Sequence, residues 1–308
     1  MCCLMVVCNE MKKAKPFVKW AGGKSNLLSQ LDVLLPVDFC NMPEVTYIEP
    51  FVGGGAMLLH MLKNYRNIKR AVINDINEDL IRCYLLIKDN PDILIDRLKL
   101  LEDTFYQCDA IDRKELFYAY REQYNSATLG PNERAAMFVF LNHTCFNGLY
   151  RVNSKGEFNV PFGRYKRPII CNEKVILDDH RLLNSVDLIV RAPGDYRLVK
   201  RNISLKGYNF VYLDPPYRPL SITSYFKEYS KYPFGDKQQE ELKLFCDVLT
   251  KRDCQIMLSN SDSKNEDGTS YFEELYKEYK IHKVYAHRAI NAFAEKRTRL
   301  SEVLITNY

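Results

Sequence analysis

The chain has 308 residues, 46% of them hydrophobic and 27% charged, enough for one large globular domain or two modest ones. It contains no run of about 18 apolar residues, so no membrane-spanning helix is expected. The net charge is a mild +5, and ten cysteines without a C-x-x-C or a zinc-like spacing argue against disulfides and metal ligation and read as thiols packed like small apolar side chains.

Residues 1–14 read as a flexible, soluble tail. The apolar stretch Leu4–Val7 is too short, and lacks the charged flank, for a signal peptide. Met11 offers an alternative start, because periodic sequence begins just after it. Phe17–Leu28 is the first organised segment, turning at Gly22-Gly23. Val45–Glu49 reads as a short buried strand running through Gly53-Gly54-Gly55 into a helix from Ala56 to about Tyr65. A second strand, Arg70–Asn74, ends at Asp75, and a helix from about Asn77 to Lys88 follows. This order of strand, glycine turn, helix, strand and acid is the opening half of a doubly wound α/β domain.

From residue 91 to residue 145 the pattern becomes helical, with helices predicted over Pro91–Leu101, Asp112–Tyr124 and Asn132–Cys145. Tyr150 to Val160 reads as a β-hairpin with its tip at Lys155-Gly156. The α/β pattern resumes near Ser185. It gives strands Phe210–Leu213, Gln255–Leu258, Ile281–Ala286 and Val303–Thr306, with helices Asp236–Leu249 and Tyr271–Tyr279. The expected organisation is one α/β catalytic domain, residues 15–88 and 186–308, interrupted by a mostly helical unit over 89–185. Basic residues concentrate in two places: eleven Lys or Arg against six acids over 145–201, and six against one over 280–299. Two basic surfaces suit a polyanion, although counts this small also describe ordinary solvated faces.

Two glycine-rich segments invite nucleotide motifs. Gly22-Gly23-Lys24-Ser25 resembles the tail of a P-loop, but Val18 stands where that motif needs its first glycine. Gly53-Gly54-Gly55 opens like the dinucleotide fingerprint, but Leu58 stands at its third glycine. S-adenosylmethionine has no pyrophosphate and demands less. Gly53 and Gly55 allow a tight turn and a close backbone approach to its methionine part, with Glu49-Pro50-Phe51 leading in. Asp75, 20 residues beyond Gly55, has the spacing of an acid that accepts ribose hydroxyls, or it caps the helix that follows.

Asp214-Pro215-Pro216-Tyr217 follows directly on a predicted strand. The prolines fix an extended chain without N–H donors, so the segment offers acceptors at the carboxyl edge of the sheet. An exocyclic amino nitrogen is a weak nucleophile because its lone pair is delocalised into the ring. The Asp214 carboxylate and the Pro215 carbonyl can hold its two N–H groups, aim the lone pair and stabilise the positive charge that develops. Pro216 keeps the chain extended, and Tyr217 supplies a flat face for a base.

Four stretches, in order, carry a family resemblance: Phe17-Val18-Lys19-Trp20-Ala21-Gly22-Gly23-Lys24; Glu49-Pro50-Phe51-Val52-Gly53-Gly54-Gly55; Phe146-Asn147-Gly148-Leu149-Tyr150-Arg151 through Pro161-Phe162-Gly163-Arg164-Tyr165; and Asp214-Pro215-Pro216-Tyr217. Over nearly all of Lys15–Tyr308 the sequence resembles the Dam-type, group-alpha (D12 class) adenine-N6 DNA methyltransferases, close to the DpnM-like GATC modification enzymes. The resemblance implies a Rossmann-like S-adenosylmethionine-dependent methyltransferase sheet with a target-recognition insertion. It implies Trp20, Lys24, Asp75 and Asp214 as cofactor contacts, and Asp195 in Gly194-Asp195-Tyr196 beside the cofactor's adenine. Arg151 is implied to read a guanine of GATC. Leu149, Pro161 and Tyr165 are implied as further base contacts, Phe146 and Asn147 as fillers of the gap left by a flipped base, and Lys19 as reader of the outer base.

Arginine bidentate to guanine is the commonest specific major-groove contact, and an enzyme acting on a base within a duplex must flip it out. Arg164, Lys166, Arg167 and the 296–299 cluster would hold phosphates; Arg151 alone would equally suit a surface ion pair. The implied partners are double-stranded DNA and S-adenosylmethionine, with no metal and no membrane. The implied protein is a cytoplasmic, nucleoid-associated monomer, with a restriction endonuclease as candidate partner but no stable complex. The competing readings are an RNA or protein-glutamine N-methyltransferase and a silent DNA-binding regulator on the same fold.

Overall fold

The computed structural model describes residues 13–126, 128–204, 207–219, 234–286 and 300–308. Residues 1–12 of the expected tail and the 296–299 basic cluster lie outside them. Seven strands form one sheet: β1 (Val45–Glu49), β2 (Ile68–Ile73), β3 (Asp187–Val190), β4 (Asn209–Leu213), β5 (Cys254–Ser261), β6 (Lys280–Ala286) and β7 (Leu300–Thr306). Their order is β3-β2-β1-β4-β5-β7-β6. β1 to β5 run parallel, and β7 inserts antiparallel between β5 and β6. Strand order reverses between β1 and β4, and in such sheets ligands bind beyond the carboxyl ends at that switch point.

Side chains alternate between two apolar layers, as strands covered on both faces require. Tyr47, Ala71, Ile73, Phe210 and Tyr212 face one layer; Ile48, Val72, Val211, Leu213 and Leu258 face the other. The helices are α1 (Leu28–Val33), α2 (Ala56–Asn64), α3 (Glu78–Asp89), α4 (Pro91–Gln107), α5 (Ala110–Asn125), α6 (Pro131–Thr144), α7 (Glu173–Leu183), α8 (Asp236–Thr250) and α9 (Tyr271–Leu275). Leu242, Phe245 and Leu249 of α8 and Phe272 of α9 seal the second layer. The first layer runs without a break from the sheet into α2–α7, so the helical insertion shares the core of the sheet.

The structure differs from the sequence reading in several places, α9 for one ending at Leu275 rather than Tyr279. α4 continues to Gln107 rather than stopping at Leu101. α7 has no counterpart in the reading, because Asp178 and Asp179 interrupt its apolar pattern; both are buried, and Asp179 accepts the Lys15 backbone N–H at 3.2 Å. The expected hairpin closes through a single antiparallel bridge, Val152 to Phe158, with Gly156 N–H donating to the Asn153 carbonyl across the turn.

Candidate active site and recognition surface

Three neighbouring strands each deliver an acid to the carboxyl edge: Glu49 at the end of β1, Asp75 just past β2 and Asp214 just past β4. Burial raises all three carboxyls above their ordinary range. Glu49 is pushed well up despite the hydrogen bond it accepts from the Tyr47 hydroxyl at 2.8 Å, and the Asp214 charge adds to the effect. Asp75 is raised by burial, offset by N–H donation from Asn77 (2.9 Å) and Gly53 (3.0 Å). Asp214 rises to about 6, held down from a larger shift by Lys24, whose buried ammonium lies 2.9 Å from Oδ1. Lys24 also donates to the Gly22 carbonyl at 2.8 Å, which pins the Gly22-Gly23 turn over the site. The helix after Asp75 is capped by Asn77, whose Oδ1 accepts Leu80 N–H at 3.0 Å. The cap alternative for Asp75 is therefore taken by its neighbour, and Asp75 faces the glycine turn.

Segment 214–218 is held from behind by polar groups at the end of β5 and on α8. Gln239 donates to the Pro216 carbonyl at 3.1 Å, and Arg218 N–H donates to Asn260 Oδ1 at 3.1 Å. Arg218 also pairs with Asp236 at 2.8 Å and stacks on Tyr271. Among the described residues no backbone N–H donates to the Pro215 carbonyl, and the Gln239 amide takes the neighbouring Pro216 carbonyl instead. The Tyr217 ring lies 4.6 Å from the Lys24 ammonium, with its hydroxyl directed at β5 and β7. Ser259, Asn260 and Ser261 went unread in the sequence because they look like the polar end of a strand. They extend β5 beyond the expected Leu258, and their side chains serve the loop.

The glycine turn is tight because two aromatic side chains fill the space a Cβ would need. Gly53 (φ +50°) and Gly55 (φ +76°) are left-handed. A methyl on Gly53 would come within 2.8 Å of the Trp20 ring, and one on Gly55 would strike the Tyr84 hydroxyl, which donates to the Gly53 carbonyl at 2.9 Å. Phe51 stacks on Tyr196 at 5.1 Å. The buried Asn74, missed in the sequence, donates to the carbonyls of Pro50 (3.2 Å) and Gly194 (2.9 Å), so the ends of β1 and β2 meet segment 194–196 there. Asp195 accepts Arg197 N–H and Nε at Oδ1 and Nη2 at Oδ2, and that arginine holds its carboxyl below the usual range. Of the roughly four lone-pair positions of a carboxylate, about one remains.

A second surface adjoins this edge through the Trp20–Tyr150 stack (5.6 Å, 18° between planes). Phe146 is half exposed, Asn147 is left-handed at φ +55°, and Leu149 is exposed. Phe146 N–H donates to the Pro161 carbonyl at 2.8 Å, and the Lys19 ammonium sits 4.5 Å above the Tyr165 ring. Arg151 is exposed, its Nε donating to Asn159 Oδ1 at 2.7 Å across the hairpin. Arg164, Lys166 and Arg167 are exposed beside it. The sequence-predicted recognition residues thus form one connected surface, whereas Asp195 belongs to the far side of the glycine turn.

Buried Asn142 on α6 ties this surface together and was missed, although an amide closing the apolar run Ala135–Leu141 is the local signal for it. Its Oδ1 accepts Lys19 N–H (2.8 Å), and its Nδ2 donates to the carbonyls of Lys19 (2.8 Å) and Gly148 (2.9 Å). Asn142→Leu leaves those groups unpaired, at a cost of about 1–3 kcal/mol each where burial is complete. A denaturant melt should show lower stability, and a DNA titration weaker binding. Lost stability with unchanged DNA affinity would assign Asn142 to the fold alone.

With this geometry in view, a family model described as D12 class N6 adenine-specific DNA methyltransferase matches residues 20–290. The chain is 44% identical over 299 residues to the Type II methyltransferase M.MjaIII of Methanocaldococcus jannaschii, spanning 96% of this chain and 100% of that one. It is 37% identical over 297 residues to the Type II methyltransferase M1.LlaDCHI of Lactococcus lactis subsp. cremoris, spanning 96% and 95%. It is 33% identical over 293 residues to the DNA adenine methylase of Haemophilus influenzae, spanning 95% and 93%.

Proposed function

The chain belongs to the D12 class of N6 adenine-specific DNA methyltransferases, and from that premise we propose that it uses S-adenosylmethionine to methylate the adenine of GATC in duplex DNA. The observation that carries the donor assignment is the charge of the sheet edge. Among the described residues Glu49, Asp75 and Asp214 gather there, and the Lys24 ammonium pairs with one of them, Asp214. S-adenosylmethionine, whose sulfonium and ammonium outweigh its one carboxylate, suits an edge lined by acids, whereas a polyphosphate would only add negative charge there.

In this reading Asp75 accepts the ribose hydroxyls. Phe51 and the remaining capacity of Asp195 face the adenine, and Trp20, Lys24, Glu49, Gly53 and Gly55 surround the methionine part. When bound, S-adenosylmethionine supplies an electrophilic methyl group. The chain's own task is to prepare the nucleophile. Asp214 and the Pro215 carbonyl accept the two N–H groups of the target amine, which fixes the direction of its lone pair. The same acceptors stabilise the positive charge that grows on nitrogen. Tyr217 offers a stacking face to the flipped adenine.

Residues 89–185 are the proposed target-recognition unit, flanked by catalytic segments 15–88 and 186–308. Support for GATC comes from the stretch Phe146 to Tyr165, in which Arg151 presents its guanidinium outward with Nε held by Asn159. Phe146 and Asn147 fill the gap in the stack, and Lys19, Leu149, Pro161 and Tyr165 line the base edges. DNA from cells expressing the chain should resist a nuclease blocked by GATC adenine methylation and be cut by one that requires it. Equal methyl transfer in vitro to an oligonucleotide lacking GATC would remove the sequence assignment and leave adenine methylation standing.

A further inference from the structure

β7 reads Leu-Ser-Glu-Val-Leu-Ile-Thr, and Glu302 is its one ionisable residue. Val303, Leu304 and Ile305 beyond it are buried in the core, while Glu302 itself is partly buried at the edge of that core. Its partner is Tyr217, whose hydroxyl donates to Glu302 Oε2 at 2.6 Å and lies 3.0 Å from Ser259 Oγ. The distance is that of a charge-assisted O–H to carboxylate bond, about 2.5–2.7 Å. Ser259 is fully buried on β5, and Glu302 pairs across the ladder with Ser261 of the same strand. The phenol tip is therefore fixed by two strands, while the Lys24 ammonium faces the ring. A tyrosine held only at its backbone keeps its side-chain torsions; one anchored also at the hydroxyl presents a ring of fixed plane.

We propose that Glu302 is a positioning residue for methyl transfer, setting the plane of the Tyr217 ring against which the flipped adenine stacks. Glu302 touches neither base nor cofactor in this scheme. It acts through the phenol hydroxyl, and its carboxylate makes that bond stronger than Ser259 could alone. The inference rests on Tyr217 being the stacking platform.

The test uses the full chain with a GATC duplex and a second duplex carrying 2-aminopurine in place of the target adenine. Glu302→Ala should lower kcat at least tenfold with the KM for S-adenosylmethionine within twofold, and Glu302→Gln, whose amide oxygen still accepts, should recover most of it. Tyr217→Phe should match the Glu302→Ala loss, and the double variant should lose no more than either single one. The 2-aminopurine signal of the bound duplex should differ between wild type and Glu302→Ala. If wild type itself gives no signal on binding, the platform reading of Tyr217 fails. If wild type responds and Glu302→Ala responds identically with full kcat, or if the two losses add, the role of Glu302 is overturned. Should Glu302→Ala fail to fold, Tyr217→Phe removes the same bond without touching β7, and wild-type kcat in that variant overturns the proposal equally.

Discussion

Methyl transfer by an Asp214→Ala variant is expected to fall by roughly a thousandfold or more, the upper end of what losing one preorganised charge-stabilising group costs an enzyme. The substitution removes the acceptor that orients the amine and leaves the buried Lys24 ammonium without its 2.9 Å partner. The Pro215 carbonyl survives, so DNA binding should persist, and single-turnover transfer to a GATC duplex is the measurement that checks the loss. Transfer within tenfold of wild type would sink the assignment.

The same residue predicts two opposite responses to pH in the wild type. Protonated Asp214 cannot serve as a full acceptor, and its folded-state pKa is about 6. The rate should therefore drop about tenfold per unit as pH falls below about 6. Stability should move the other way. A carboxyl raised above its unfolded value binds more protons when folded, so the unfolding free energy increases as pH falls from about 6 toward about 4. Glu49 and Asp75, both raised by burial, push in the same direction. Melting temperature and rate measured across pH 4.5–7.5 should diverge, and Asp214→Ala should flatten part of the stability slope.

On the proposed role of Arg151, Arg151→Ala should cost about 1–3 kcal/mol of discrimination between GATC and sites altered at the guanine assigned to it, roughly 5- to 150-fold in kcat/KM. Binding of S-adenosylmethionine should be unchanged, because Arg151 lies on the hairpin and not at the sheet edge. Nε donates to Asn159 Oδ1 and Nη2 reaches the Asn159 carbonyl at 3.5 Å, which fixes the guanidinium and leaves Nη1 to face a guanine edge. Asn159→Ala should therefore reproduce part of the loss while keeping the charge. Competition kinetics with oligonucleotides altered one base pair at a time will decide. A uniform drop across all sequences would make Arg151 a phosphate contact.

What the sequence revealed was local. β1 ran from Val45 to Glu49 as expected, because five consecutive buried side chains followed by a glycine turn leave little alternative. Asp75 and Asp214 could be found because each ends a strand that its own periodicity marks. What remained hidden depends on partners distant in the chain. Lys24 meets Asp214, Asn142 meets Lys19, and Tyr217 meets Glu302; no period of 2 or 3.6 encodes such meetings. α7 stayed unread for a related reason, since Asp178 and Asp179 look like solvent residues until Lys15 and helices α2 to α4 close over them. Buried polar residues therefore broke the periodic pattern at both the site and its supports.

The strand order has a consequence for how the molecule comes into being. β7 is synthesised after β6, yet it lies between β5 and β6, and β7 is the ladder partner of β6 among the described residues. On the ribosome β6 emerges first and must wait, while the free edge of β5 stays unpaired until β7 arrives. Non-local pairing of this kind is slow compared with helix formation. Because β7 also brings Glu302 to Tyr217, the hydroxyl anchor proposed to set that ring is absent from a nascent chain until this late strand docks.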